Sequence, residues 1–110
     1  MDTPLWKPAA NAAQDSNMAC FMAHMDEKGL AETGDAEALH RFSIAEPETF
    51  WSALWNFCGV RGDKGEAPYL VDGDKMPGAR FFPGATLNFA ENLLNFDGGD
   101  TPALIYLGED

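Results

Sequence analysis

The amino-acid sequence predicts a mainly α-helical domain with a few short β-strands. Three segments between residues 9 and 58 carry apolar side chains at helical spacing, and residues that favour helix ends flank them. The remainder is rich in Gly, Pro and Asp, which leaves room for turns, short strands and one short helix. At 110 residues the chain is one domain or a piece of one.

Composition and charge narrow the classes of function. Apolar residues make up 45% of the chain and aromatic residues 12%, which is typical of a folded protein. The net charge of −11 and only seven scattered Lys and Arg argue against nucleic-acid binding and against anionic membrane surfaces. The sequence shows no signal-peptide pattern and no apolar run long enough to cross a bilayer. We therefore expect a cytoplasmic protein with no nucleic-acid partner and no membrane partner.

The N-terminal region predicts a tail and one helix. Residues 1–8 contain two prolines and no periodicity, so we expect a loose tail in which only Trp6 could dock. Residues 9–28 favour a helix that Gly29 ends. This helix carries an apolar stripe at i, i+3, i+4 and i+7, formed by Met18, Phe21, Met22 and Met25. Core packing explains such a stripe better than a partner-binding groove does.

Two further helices follow. Asp35 is a favoured N-cap residue for a second helix that gives way near Ala45. Pro47 can open a third helix at its first position, where the missing N–H costs no hydrogen bond, and Gly59 ends it. The third helix carries a wide apolar face formed by Phe50, Trp51, Leu54, Trp55 and Cys58. We expect this face to be buried, so changing either of its tryptophans to alanine should cost about 3–5 kcal/mol and unfold the domain.

The stretch after the third helix alternates turns with short elements. Residues 61–68 form a charged loop with the highest expected mobility. Short strands are predicted at 69–71 and 80–82, and the first of them leads into a turn at 72–75. Residues 86–94 predict a short helix.

Two features of the C-terminal half need partners to explain them. Asn88 and Asn92 stand four residues apart, so they share one face of the predicted helix. Residues 103–107 form a continuous apolar run, which is typical of a strand buried on both faces. The chain has no further strands that could lie beside residues 103–107. The sequence therefore predicts a piece of a longer protein.

No set of acidic residues predicts a metal site. Asp72 and Asp74 resemble the start of a calcium loop, but Met76 and Pro77 stand where the loop needs an oxygen ligand and a glycine. An Asp-rich turn is the better interpretation.

The histidines, serines and cysteines give no site either. His24 and His40 lie on different predicted helices, without a third ligand at metal-binding spacing. The serines lack the Gly-x-Ser-x-Gly turn of a nucleophile, and no glycine cluster matches a phosphate-binding loop. Cys20 and Cys58 are expected to be small buried hydrophobes in a reducing compartment. The sequence therefore predicts no catalytic residue, no cofactor-binding residue and no metal ligand in this chain.

A family resemblance is centred on residues 80–94, Arg-Phe-Phe-Pro-Gly-Ala-Thr-Leu-Asn-Phe-Ala-Glu-Asn-Leu-Leu. This segment resembles a pattern near the N-terminus of short-chain acyl-CoA synthetases, in the acetyl-/acetoacetyl-CoA synthetase branch of the adenylate-forming superfamily. Upstream, Ala-Leu-His-Arg-Phe-Ser at 38–43 and Glu-Pro-Glu-Thr-Phe-Trp at 46–51 are similar to a second block of the same enzymes. The similarity runs over residues 4–110, and the order and distance of the blocks make it specific.

Within that branch the chain resembles the acetoacetyl-CoA synthetase (acetoacetate–CoA ligase) type. The turn at 71–84 and the opening Pro-Leu-Trp at 4–6 are similar to that type. Asn-Phe-Asp at 95–97 stands where acetyl-CoA synthetases usually have Asp-Arg-His. The resemblance implies a parent enzyme that uses ATP and Mg²⁺ to form acetoacetyl-AMP and then transfers the acyl group to CoA.

The resemblance also implies a division of the chain. Residues 1–8 would be the loose tail, 9–96 the helical N-terminal domain, and 97–110 a loop and the first strand of a truncated AMP-binding domain. The helical part would cap the α/β large domain of the synthetase, with the Asn88 and Asn92 amides capping or bridging backbone there. The family's catalytic motifs lie downstream, so this fragment should be non-catalytic, should bind no cofactor itself, and should have the rest of the synthetase chain as its partner.

Two alternatives stay open at the sequence level. One is the N-terminus of an acetyl- or propionyl-CoA synthetase. The other is a free-standing acidic helical module whose Met and Trp faces bind a partner protein.

Overall fold

A computed structural model describes residues 3–95 and 98–109. The elements in chain order are α1 (Asn17–Glu27), α2 (Ala36–Ala45), α3 (Pro47–Phe57), β1 (Leu70–Val71), β2 (Arg80–Phe81) and α4 (Phe89–Leu93). The strands β1 and β2 pair antiparallel, with Leu70 opposite Phe81 and Val71 opposite Arg80. The predicted mainly α-helical class with a few short strands is therefore confirmed. None of the described helices is long and apolar enough to cross a membrane.

Local sequence signals fix most helix ends. The Asp35 carboxylate accepts a hydrogen bond from the Ala38 N–H at 2.8 Å, as an N-cap does. Pro47 is the first residue of α3, as predicted. Gly29 and Gly59 follow α1 and α3 with φ of +65° and +63°, a left-handed conformation that ends helices at little cost in glycine.

The first helix is shorter than the sequence predicts. Residues 10–15 form turns, and α1 begins only at Asn17. The Ser16 hydroxyl donates to the Ala13 carbonyl at 2.6 Å and accepts from the Ala19 N–H at 3.2 Å. Because this serine bonds backbone groups on both sides of itself, it starts a new helix instead of continuing one from residue 9.

The core lies where α1, α2 and α3 meet. Its buried side chains are Phe21, Met25, Leu39 and Ala53. The Phe21 ring packs against Phe50 and Phe57, with ring centroids 5.7 and 5.1 Å apart. Core packing of the methionine stripe on α1 is confirmed for Met25, whereas Met18 is half exposed.

The third helix does not bury its predicted face as one surface. Ala53 and Phe57 face the helical core, although the predicted face omitted both. Trp51 is 42% exposed and Cys58 is exposed, so the expectation that they are buried is wrong. The reason is angular: a helix that packs on α1 and α2 turns only part of its circumference toward them. Trp51 lies to one side, against Phe81 of β2.

The cysteines are also not buried hydrophobes. Cys20 and Cys58 are both exposed free thiols. Cys20 precedes the buried Phe21 by one residue, which places it about 100° away around α1, off the core side. Cys58 is the C-cap of α3 and lies beyond its last turn.

The described residues near the two ends of the chain, 3–8 and 98–109, do not dock on the core. Trp6 is 76% exposed, so it does not anchor the tail. Residues 103–107 form no strand, and the exposure of Leu104 reaches 94%. A two-sided buried strand needs ladder partners, and the described residues provide none. The proposed boundary between residues 96 and 97 lies outside the described residues.

Candidate functional site: a polar joint and an outward apolar face

The helix α4 is attached to the domain through its polar side. The Asn92 side-chain oxygen accepts a hydrogen bond from the Arg61 N–H at 2.8 Å, and its amide donates to the Arg61 carbonyl at 2.8 Å. The same amide donates to the Asn88 carbonyl at 2.9 Å. One side chain thus satisfies both backbone groups of a loop residue, which would otherwise need water.

Asn88 is the N-cap of α4, so this helix begins at Phe89 and not at residue 86 as the sequence predicts. Its backbone is extended, and its side-chain oxygen accepts from the Glu91 N–H at 3.1 Å. This contact satisfies one of the N–H groups that a helix start leaves open. The two asparagines cap and bridge backbone as predicted, but the backbone they bond is that of Glu91 and Arg61 in this domain, and a place at the boundary with a large domain stays a prediction.

A second link joins the loop after α3 to the residues before α4. Asp63 and Thr86 exchange both backbone hydrogen bonds, each at 2.8 Å. Gly62 has φ of +150°, and a Cβ there would lie 2.6 Å from the Thr86 carbonyl oxygen. Only glycine permits this approach of the two chain segments. The loop at 61–68, expected to be the most mobile part, is therefore held by hydrogen bonds on this side.

Lys64 connects the same loop to α3. Its ammonium donates to the Ser52 hydroxyl at 2.6 Å and to the Asn56 side-chain oxygen at 3.3 Å. It also lies 4.6 Å from the centroid of the Tyr69 ring, a cation–π distance. Desolvation by burial lowers the pKa of Lys64 below its usual value. The Tyr69 N–H in turn donates to the Glu48 carboxylate at 2.6 Å, which ties β1 to the start of α3.

Three aromatic side chains, Trp55, Tyr69 and Phe82, form a cluster that includes the Tyr69 ring contacted by Lys64. Phe82 packs between Trp55 and Tyr69, with ring centroids 4.9 and 5.6 Å apart. Its backbone has φ of +45°, which is a strained conformation for a bulky residue. The Phe82 N–H donates to the Tyr69 carbonyl at 2.7 Å, and this contact together with the ring packing holds the conformation.

A neighbouring side of α4 is apolar and faces outward. Phe89 and Leu93 are four residues apart on one face and are 74% and 68% exposed. Leu87 and Leu94, which flank the helix, are exposed as well. A surface helix normally turns its apolar side to the core and its polar side to water. In α4 the polar Asn92 contacts the domain, while Phe89 and Leu93 are exposed along with Glu91.

The side chains considered for chemistry do not come together. Asp72 has φ of +56° and forms an ion pair with Lys75 at 3.1 Å, while Asp74 is exposed, which fits the predicted turn. The His24 ring packs on Phe57 with centroids 5.3 Å apart. Within residues 3–95 and 98–109, no group of three or more His, Cys, Asp and Glu is placed to hold a metal ion.

The sequence singled out only some of the residues that hold α4 and the loop at 61–68 in place. Asn88 and Asn92 stand out by their spacing, but nothing marks Arg61, whose contribution is backbone alone. Only one weak feature of the sequence marks Lys64 as a contact residue: Lys and Arg are scarce in so acidic a chain. Its contacts depend on a fold that brings the loop back over α3.

Comparison with known proteins identifies a family for this chain. Residues 36–93, which span α2 to α4, match the family described as the acetyl-coenzyme A synthetase N-terminus. The chain is 47% identical over 110 residues to the acetoacetyl-coenzyme A synthetase of Rhizobium meliloti (strain 1021). The aligned region covers 99% of this chain and 16% of that protein.

More distant relatives have similar names. The malonamoyl-CoA synthetase of Penicillium aethiopicum is 32% identical over 91 residues, covering 82% of this chain and 12% of that protein. The acetoacetyl-CoA synthetase of Rattus norvegicus is 29% identical over 104 residues, covering 91% of this chain and 15% of that protein. The chain thus spans about one-sixth or less of the length of these relatives. No solved structure matches it. The family match covers more than half of the chain, and the chain belongs to the acetyl-coenzyme A synthetase N-terminus family.

Proposed function

We propose that this chain is the N-terminal, non-catalytic segment of an acetoacetate–CoA ligase. The observation that carries the proposal is the 47% identity to a named acetoacetyl-coenzyme A synthetase over 99% of this chain. The parent would activate acetoacetate with ATP to acetoacetyl-AMP and pyrophosphate, and the thiol of CoA would then displace AMP. In that enzyme this segment has a structural role.

ATP, Mg²⁺ and CoA belong to the parent enzyme in this proposal. The described residues do not fit these groups. Magnesium needs carboxylates that converge, and the described residues offer no such cluster. A phosphate cradle needs open backbone N–H groups, but Gly62 packs against Thr86 and Gly65 packs against Gly84. We therefore assign no catalytic or cofactor-binding role to any residue within 3–95 and 98–109.

The partner in this proposal is the rest of the synthetase chain, beginning with the AMP-binding domain that residues 97–110 would open. The cytoplasm is the expected location, because the substrates are soluble metabolites and the chain carries two free thiols.

The test of the activity is ATP–pyrophosphate exchange with the longer chain that the proposal requires. We expect exchange that depends on acetoacetate and is weak with acetate. A preference for acetate would refute the substrate. Malonamate is a useful third substrate, because one relative is named for malonamoyl-CoA and malonamate has an amide where acetoacetate has a ketone.

The 110-residue chain provides the second arm of the test. We expect no exchange with any of the three acids, since none of its described residues has a role in the chemistry. Exchange by this chain alone would overturn the non-catalytic assignment. A reading frame that stops directly after residue 110 would overturn the assignment to a longer enzyme and favour a free-standing interaction module.

A further inference from the structure

We propose that a small aromatic cavity beside the C-terminal half of α3 binds a quaternary ammonium group. The volume of the cavity is about 200 Å³, far more than one water molecule needs, so a small organic ion fits. Six uncharged residues line it: Trp51, Leu54, Trp55, Cys58, Val60 and Phe82. This site goes beyond the proposed ligase activity and does not depend on it.

The first argument is that aromatic rings form much of the wall of the cavity. Trp51 and Trp55 are four residues apart and therefore lie on the same side of α3. The ring centroids of Trp55 and Phe82 are 4.9 Å apart, and the rings are tilted by 42°, so they form a corner. The face of an aromatic ring is negative because of its quadrupole, and several rings around one space attract a cation.

The second argument is that the fold holds Phe82 at this wall in a strained conformation. Its φ of +45° is unfavourable for a bulky residue. The hydrogen bond from the Phe82 N–H to the Tyr69 carbonyl, at 2.7 Å, keeps the backbone there. Strained residues of this kind cluster at ligand-binding sites. Trp51 is 42% exposed, so the cavity is open to a ligand from solvent on that side.

The third argument is the charge of the surroundings. Among the described residues that line the cavity, none has a charged side chain. A metal ion or a primary ammonium would therefore lose its hydration there without gaining a charged partner. A quaternary ammonium has no N–H groups to satisfy, and aromatic rings attract its charge. The net charge of −11 also favours a cation over an anion.

A cation of the protein itself already lies against the same aromatic cluster. The Lys64 ammonium is 4.6 Å from the centroid of the Tyr69 ring, which packs on Phe82 at 5.6 Å. Tyr69 is not one of the lining residues, so Lys64 and the ligand contact different rings. The Glu48 carboxylate accepts from the Tyr69 N–H and places a compensating negative charge beside that ring.

The experiment is a titration of the 110-residue chain with choline, followed by NMR at the indole N–H groups of its three tryptophans. We expect choline to shift the signals of Trp51 and Trp55 but not that of Trp6, which is 76% exposed and outside the cavity. The uncharged isostere 3,3-dimethylbutan-1-ol has carbon in place of the ammonium nitrogen. We expect it to bind about tenfold more weakly, because it lacks the cation–π attraction. Sodium chloride at the same concentration is the control for salt.

Two variants test the walls of the cavity. Trp51→Leu and Trp55→Leu each remove one ring, so we expect the affinity for choline to fall about fivefold or more. Trp6→Leu is the matched control and should bind choline as the wild type does. Melting temperatures show whether the variants are folded. The comparison of choline with its isostere on the wild type does not depend on the variants.

Four results would overturn the proposal. Equal affinities for choline and its isostere would show an apolar cavity with no preference for a cation. Equal shifts at Trp6 and Trp51 would show non-specific contact, and no shift at Trp51 or Trp55 would show that the cavity does not bind this group. The fourth concerns the longer chain of the proposed function, in which saturation transfer to the choline methyl protons reports binding. Its absence there would show that the cavity is closed in the enzyme.

Discussion

At the scale of single residues, Asn92 holds α4 in its position on the domain. It joins α4 to Arg61, a residue 31 positions earlier, through two hydrogen bonds to backbone. The spacing of Asn88 and Asn92 predicts one shared face, and their capping and bridging roles follow from what a side-chain amide can do. The identity of the bridged residue could not be predicted, because it depends on where a loop passes in space.

Asn92→Ala tests this joint. We expect the free energy of unfolding of the 110-residue chain to fall by about 1–2 kcal/mol, because the variant loses both side-chain hydrogen bonds to the Arg61 backbone. Urea denaturation measures the loss. Asn95→Ala is the matched control, since Asn95 is exposed directly after α4. Equal losses in the two variants would contradict the assigned role of Asn92.

Lys64 gives a prediction about pH. Desolvation lowers its pKa in the folded state from the usual 10.5, so between the lowered value and 10.5 the unfolded chain binds more protons than the folded chain. The contribution of Lys64 to stability should therefore rise as the pH rises through that window. Lys64→Met removes the titrating group. The unfolding free energy of the wild type minus that of the variant should therefore increase as the pH is raised toward 10.5. A difference that does not change with pH would show that the ammonium is not desolvated.

At the scale of elements, α3 packs in two directions. One side contributes Ala53 and Phe57 to the core with α1 and α2, and another carries Trp51 and Trp55 toward the β1–β2 hairpin. Apolar spacing predicts the helix and its ends correctly. It does not say how many separate surfaces the apolar residues cover, because one helix can contact two neighbours at different angles.

This division changes the expected effect of alanine substitutions. Phe21 is 4% exposed and contacts two other rings, so Phe21→Ala should cost about 3–5 kcal/mol and come close to unfolding the domain. Trp51 is 42% exposed, so Trp51→Ala should cost about 1–2 kcal/mol, less than the buried position implied by the sequence. Thermal unfolding of the two variants gives the order. A larger loss in Trp51→Ala than in Phe21→Ala would contradict the assignment of the main core to the side of α3 that faces α1 and α2.

At the scale of the whole molecule, the helical body and the C-terminal segment differ in packing. Helices α1 to α3 share a small core, whereas residues 98–109 form neither helix nor strand and are exposed. The loops between α3 and α4 are joined to α3 by Lys64 and Glu48, and Asn92 joins α4 to the loop that follows α3. The stability of the 110-residue chain should therefore reside in the part up to residue 95.

Removal of residues 96–110 tests this distribution. We expect the shortened chain to keep the melting temperature of the 110-residue chain to within about 2 °C, because the described part of that segment contributes no core contacts. Solubility should improve at the same time, since an exposed apolar segment without ladder partners favours association. A marked fall in melting temperature would show that the segment packs on the body.

The sequence alone determined the features that depend on neighbours along the chain. Asp35 and Pro47 begin α2 and α3, and Gly29 and Gly59 follow α1 and α3, because these effects act within one turn. Ser16 and Asn88 are the exceptions among the helix starts, because helices were expected from residues 9 and 86 and the side chains of these two residues could have pointed away from the backbone.

The tertiary structure alone decided which apolar residues are buried and which polar groups meet. Trp51 is exposed while Ala53 is buried, and Lys64 reaches Ser52, because these outcomes depend on the angles at which helices and loops cross. The segment 80–94 is the clearest case. Its spacing identifies the family and the two asparagines, but only the fold shows that α4 is attached by its polar side and presents Phe89 and Leu93 outward.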